Sequence, residues 1–245
     1  MSAPFLAPFA VEARKMNRSL AALLAVAAPS LIAVFGFFML LRSGRAATWD
    51  MWMGSAAGVW AFFMLPMSVT ALTALVAHME HGPRSWDHLR ALPAPRWRLY
   101  AAKAVAVVTV VALMSVATLA MNWAAISLAG TIKPAFAPTG VFNLAAYAGM
   151  MAKIFLASLL MIALQLWTAL RFASFVPGLV LGIGGTFFAV VATSAKEGVY
   201  LPWQMPVNMM ASDAGRVTTA LGLGCGLGLL ALVLMTAHLS RREVL

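Results

Sequence analysis

The residues best suited to chemistry or binding lie together in one polar stretch, residues 78–103. It holds three of the four histidines, two of the seven acids and five of the seventeen basic residues. His78, His81 and His88 have side chains that ligate metals, but solvated histidines are the favoured interpretation. The sequence contains no G-x-x-x-x-G-K-[ST] phosphate loop and no H-E-x-x-H zinc motif. We therefore predict no catalytic residue, metal or cofactor in this chain, and we expect the stretch to bind something in the water phase.

The rest of the chain has the composition of a membrane protein. Hydrophobic residues make up 63% of it and charged residues 10%, whereas a soluble domain has about 25% charged residues. The charges cluster and leave six uncharged gaps that match or nearly match the roughly 20 residues needed to cross a bilayer as a helix. These gaps are continuously apolar, unlike the alternating strands of a β-barrel. We predict an all-α integral membrane protein that forms one domain over residues 1–245. Its net charge of +10 fits membrane orientation, and no binding of nucleic acid is expected.

Six transmembrane helices are predicted from the gaps between charges. They cover about 19–41, 51–77, 104–128, 153–170, 175–193 and 217–239. Residues 141–152 are predicted to be an interfacial helix, because only 17 uncharged residues separate Lys153 from Arg171. In this interpretation Lys153 extends to the headgroups. The alternative is a longer span with Lys153 buried, where a charge would be functional.

The distribution of lysine and arginine predicts the orientation of the chain. With six spans, the side that carries both termini and the 78–103 loop holds 11 of the 17 basic residues. The positive-inside rule then places both termini and this loop in the cytoplasm. Residues 1–18 form an amphipathic N-terminal segment, with a helix predicted at 8–18 on the membrane surface. A frayed basic tail is the alternative.

A short helix is predicted within the polar stretch. Pro83 suits the start of a helix, and Pro93 ends it because the residue before a proline is biased away from α geometry. Trp86 and Leu89, with Leu92 beyond them, form an apolar edge. This edge is predicted to dock against a soluble partner, although it could also lie on the membrane surface.

Glycines at spacings of four mark close helix packing in two spans. Span five holds Gly178, Gly182, Gly184 and Gly185, where we favour a functional role in a dimer interface or a mobile pore helix. In span six the pairs 222/226 and 224/228 are predicted to pack within the chain.

The order of these residues resembles the ABC-2 type permeases, and within them the lantibiotic-immunity and bacitracin-resistance permeases. The matching residues of the cytoplasmic loop are Glu80, Trp86, Leu89, Leu92, Pro93, Arg96, Leu99, Tyr100 and Lys103. Phe172, Phe175 and Gly182 are similar to the start of span five in those proteins, and Leu201, Pro202 and Trp203 are similar to their last outer loop.

The resemblance implies half of an ABC exporter, in which two six-span subunits pair and a cytoplasmic ATPase docks under each. ATP and magnesium would be bound by the ATPase, and the 83–92 helix would be the coupling helix. The residues expected to couple to the ATPase are Glu80, Arg84, Trp86, Leu89, Arg90, Leu92 and Arg96. The expected substrate is a hydrophobic or amphipathic molecule such as an antimicrobial peptide. The alternative is a membrane sensor or assembly protein that docks a partner through the same loop without transporting anything.

Overall fold

The computed structural model describes residues 7–17, 19–81, 95–193 and 195–241. Within these ranges the regular structure is helical, and the only β-type contact is an isolated bridge between Thr48 and Thr139. The helices are α1 (Ala7–Asn17), α2 (Leu20–Arg42), α3 (Trp49–Val59), α4 (Leu65–His81), α5 (Arg96–Ile132), α6 (Leu144–Ala157), α7 (Leu159–Arg171), α8 (Val176–Ala192), α9 (Met205–Asn208), α10 (Ala214–Gly222) and α11 (Gly228–Arg241). A π-helical turn joins α3 to α4 at Trp60–Met64, and another joins α10 to α11 at Leu223–Leu227.

Four continuous helical segments are long and apolar enough to cross a membrane. They are Leu20–Arg42, Trp49–Glu80, Arg96–Ile132 and Ala214–Arg241. The bent pair α6 and α7 makes a fifth if it is counted as one span. The apolar helix α8 has 17 residues, about 25 Å at 1.5 Å per residue, which is shorter than the roughly 30 Å of a hydrocarbon core. An all-α membrane protein is therefore confirmed, and the count of six spans stays a prediction.

The fourth predicted span differs from the observed helices. A single helix, α6, runs through residue 153, where a change from interfacial helix to span was predicted. Its start is fixed by Asn143, whose side-chain oxygen accepts a hydrogen bond from the backbone N–H of Ala146. The chain bends by 41° between α6 and α7, at Ser158. Lys153 is exposed, so its charge is not buried inside the helices of this chain.

The helices pack around a core to which α3, α4, α5, α6, α7 and the π-helical turn after α3 contribute most of the buried apolar side chains. Trp60, Leu65, Ile154 and Leu166 are fully buried there. The most extensive helix contact is between α2 and α5, and α8 packs on α4. Large apolar side chains cover the outside, among them Phe38 of α2 and several residues of α8. This arrangement is expected of helices that face lipid.

The last span packs closely against α6 and α7 through two of its glycines. A Cβ on Gly224 would lie 2.7 Å from the Cα of Ala157, and one on Gly228 would lie 2.6 Å from the backbone nitrogen of Leu160. Among the described residues, nothing lies within 4 Å of the Cβ positions of Gly222 and Gly226. The predicted packing of this span within the chain is confirmed for Gly224 and Gly228.

Candidate functional site: a buried ion cluster beside the polar loop

Three helices bring four charged side chains together at one end of the bundle. Glu80 lies in the last turn of α4, and Lys103 lies in the second turn of α5. These two residues therefore stand on either side of segment 82–94, which is outside the described residues. Glu12 and Lys15 come from α1, where their spacing of three places them on neighbouring positions of one face.

The four charges alternate in sign and are all within hydrogen-bonding distance. Lys103 Nζ donates to Glu80 Oε1 at 2.6 Å and to Glu12 Oε1 at 3.0 Å. Lys15 Nζ donates to Glu80 Oε1 at 2.8 Å and to Glu12 Oε1 at 3.2 Å. We call Glu12, Lys15, Glu80 and Lys103 the ion cluster. Each carboxylate contacts both ammonium groups, so every member of the cluster has two partners of opposite charge. The cluster as a whole is neutral.

Burial makes each charge in the cluster depend on the others. The side chains of Glu80 and Lys103 are 0% and 1% exposed, and that of Glu12 is 7% exposed. An unpaired charge in such a place is strongly destabilising, whereas a well-paired and hydrogen-bonded one can be retained. The cluster therefore fixes α1 to α4 and α5 at both ends of the polar loop.

Lys15 is the member of the cluster that water reaches, with a side chain that is 31% exposed. Burial alone would lower its pKa, but the hydrogen bond to Glu80 and the negative charges of Glu12 and Glu80 outweigh this effect and raise the pKa above its ordinary value. The protonated form is thus favoured by folding. The stabilisation that Lys15 provides is fully present at neutral pH and is lost only as alkaline pH rises through the raised pKa.

Three of the four glycines of α8 face other parts of this chain, and the fourth, Gly184, does not. Gly178 and Gly182 face this chain's own helices: the carbonyl of Gly178 accepts a hydrogen bond from Gln165 Nε2 at 2.6 Å, and a Cβ on Gly182 would overlap the side chain of Thr70. A Cβ on Gly185 would meet the ring of Trp203, and nothing lies within 4 Å of that position on Gly184.

A family model described as ABC-2 family transporter protein matches residues 9–190 of the chain. This chain belongs to the ABC-2 transporter family. The match includes the whole ion cluster and all but the last two residues of α8. No individual curated protein and no solved structure matches the chain. Membership makes it a multi-pass membrane permease, a transporter subunit whose family works with an ABC ATPase.

Two of the predicted coupling residues of this ABC-2 permease lie within the described part of the chain, and their surroundings differ. Glu80 is buried in the ion cluster, so any part it has in coupling acts through the cluster rather than through direct contact with a partner. Arg96 is exposed at the first turn of α5. The other predicted coupling residues lie outside the described residues, namely Arg84, Trp86, Leu89, Arg90 and Leu92.

Sequence reasoning missed the role of α1 in the permease. The helix predicted at 8–18 exists as Ala7–Asn17, so a frayed tail is wrong for these residues. Its inward face, however, carries Glu12 and Met16 and packs on α5, rather than being an apolar face that only meets lipid. The sequence gives little indication of this contact. Glu12 is the one acid before Asp50, and its partner, Lys103, lies 91 residues away.

The close contact at Gly182 gives a direct test of how α8 packs in the permease. Gly182→Ala should lower the free energy of unfolding by about 1–2 kcal/mol, because its methyl group would displace Thr70. Gly184→Ala should leave it unchanged or raise it by up to about 1 kcal/mol, since alanine favours a helix and the position is open. The measurement is the thermal unfolding of both purified variants in the same detergent. Equal effects of the two changes would mean that Gly182 does not face α4.

Proposed function

We propose that this chain is the membrane-spanning half of an ABC exporter in a bacterial inner membrane, and that residues 1–245 form one permease domain. Two such halves, identical or related, would pair and bind two cytoplasmic ATPase subunits that hold ATP and magnesium. The transported molecule would be hydrophobic or amphipathic, and an antimicrobial peptide cleared from the membrane is the favoured case. Membership of the ABC-2 family and the absence of a phosphate loop from this chain support this proposal.

The observation that carries the proposal is the position of the ion cluster. It joins the helix that enters the polar loop, α4, to the helix that leaves it, α5, and ties both to α1. A partner that pulled on the loop would therefore move three helices as one body. Interfaces that repack between two arrangements are the usual means by which such a movement becomes a change of access.

The polar loop itself is the proposed docking element, on the basis of its sequence. Two prolines bound about nine residues, and Trp86 and Leu89 provide apolar side chains at a spacing of three. We assign the loop and both termini to the cytoplasm from the excess of basic residues on that side. Docking by an apolar helix edge in a groove is a common mode of recognition.

Trp86→Asp and Leu89→Asp should each abolish substrate-stimulated ATP hydrolysis by the complex, since a charge on the docking edge would be buried without a partner. His88→Asp is the matched control, because it adds the same charge elsewhere on the predicted helix. The chain is coexpressed with an ABC ATPase of the same organism, and copurification and ATPase activity are measured for each variant.

The outcomes separate the two functions considered. If Trp86→Asp and Leu89→Asp lose the ATPase while His88→Asp keeps it, the loop is the docking element of a transporter. If all three variants retain coupled activity, the docking element is misassigned. If the chain copurifies with a soluble partner that has no ATPase motifs, the sensor or assembly function is favoured.

A further inference from the structure

A groove between α2, α3 and α5 lies at the end of the bundle away from the ion cluster. It has a volume of about 410 Å³, and its lining includes Ile32, Phe35 and Met39 of α2. From residue 32 to residue 42, α2 rises about 15 Å, roughly half the thickness of a hydrocarbon core of about 30 Å. The groove therefore spans one leaflet.

The two ends of this groove differ in polarity. Away from the arginines its lining is apolar apart from Ser43, Ser55 and Asn122, whereas Arg42 and Arg45 stand at its mouth. Both arginines are exposed, and among the described residues neither forms an ion pair. The acid nearest in sequence, Asp50, instead accepts a hydrogen bond from the hydroxyl of Tyr147 at 2.7 Å. An occupant with an apolar tail and an anionic head would match both parts.

We propose that this groove binds one anionic phospholipid, with its phosphate between Arg42 and Arg45 and an acyl chain along α2. Arginine suits this role because its planar group donates several hydrogen bonds to phosphate oxygens and stays charged. A zwitterionic lipid fits the apolar part equally well, but its headgroup brings no net negative charge to the arginines. The proposal concerns a bound lipid and does not depend on which molecule is transported.

The test measures lipid retention by native mass spectrometry on the full-length protein in a neutral detergent. Equal amounts of phosphatidylglycerol and phosphatidylcholine with identical acyl chains are added. We expect phosphatidylglycerol to be retained roughly 10- to 30-fold better, as two basic residues near a lipid surface should give. Arg42→Gln combined with Arg45→Gln should bring this ratio close to one. Lys153→Gln with Lys196→Gln, which removes the same charge elsewhere, should keep it.

Two further variants test the groove itself. Ser55→Phe places a ring in the groove and should lower retention of both lipids. If it does not, the arginines act at the surface and the groove site is wrong. Ser55→Cys is made with Cys225→Ser, which removes the only native cysteine. Disulfide cross-linking of Ser55→Cys between two copies would show that a second permease fills the groove. An unchanged lipid ratio in the double arginine variant would also overturn the proposal, provided that the protein elutes as a folded species.

Discussion

Replacing Lys103 with methionine is expected to destabilise the folded permease by about 3–5 kcal/mol, the usual cost of removing one partner from a buried ion pair. The side chain is 1% exposed and contacts Glu80 at 2.6 Å and Glu12 at 3.0 Å. Methionine keeps much of the volume, so the loss would be electrostatic. Glu80 and Glu12 would then share Lys15 alone, and the cluster would carry a net negative charge away from water. The measurement is the apparent Tm of the purified protein in detergent.

Two variants separate the burial of the removed charge from the net charge of the cluster. Lys15→Met leaves the same net negative charge as Lys103→Met, but it removes a side chain that is 31% exposed. We expect a smaller loss, of about 1 kcal/mol, since water screens exposed pairs. Adding Glu12→Gln to Lys103→Met restores neutrality and leaves the pair of Lys15 and Glu80, so it should recover part of the lost stability. If Lys103→Met cost less than about 1 kcal/mol, as the loss of an exposed pair would, the cluster would not hold α1, α4 and α5 together.

The sequence predicts the class of fold well because composition controls it. In long uncharged segments that cross a bilayer, the backbone must satisfy its own hydrogen bonds, and a helix does so. The boundaries are less certain, and α6 shows why. A charge such as that of Lys153 predicts the membrane surface, but a single charge on the exposed face of a helix does not end that helix. The bend lies five residues later, at Ser158, and the hydropathy of the sequence does not predict it.

Only two of the four members of the ion cluster stand out in the sequence. Glu80 and Lys103 stand out as charges that flank a polar loop. Glu12 could be placed on a helix, but its partner is 91 residues away, and one sequence carries no information about which distant charges meet. The same limit applies to the glycines of α8. Their spacing predicts that Gly178 and Gly182 share a face, but not that this face meets α4 and α7 of the same chain.

Gly224→Ala is expected to cost about 3 kcal/mol, at the upper end of the usual penalty for overpacking. The added Cβ would lie 2.7 Å from the Cα and 2.8 Å from the carbonyl carbon of Ala157. Both are backbone atoms, which cannot rotate away as a side chain can. The methyl group would therefore separate the last span from α6, near the bend at Ser158. The apparent Tm and the monodisperse fraction in detergent measure the effect.

Gly226→Ala is the matched control for this change. It lies two residues further on in the same π-helical turn, and nothing approaches its Cβ position within 4 Å. Alanine there should be neutral or stabilising by up to about 1 kcal/mol, through its better helix propensity. Because both changes add one methyl group to the same turn, a difference in Tm between them reports the contact with Ala157 and not helix propensity. Similar losses in both variants would instead indicate that the π-helical turn itself requires glycine.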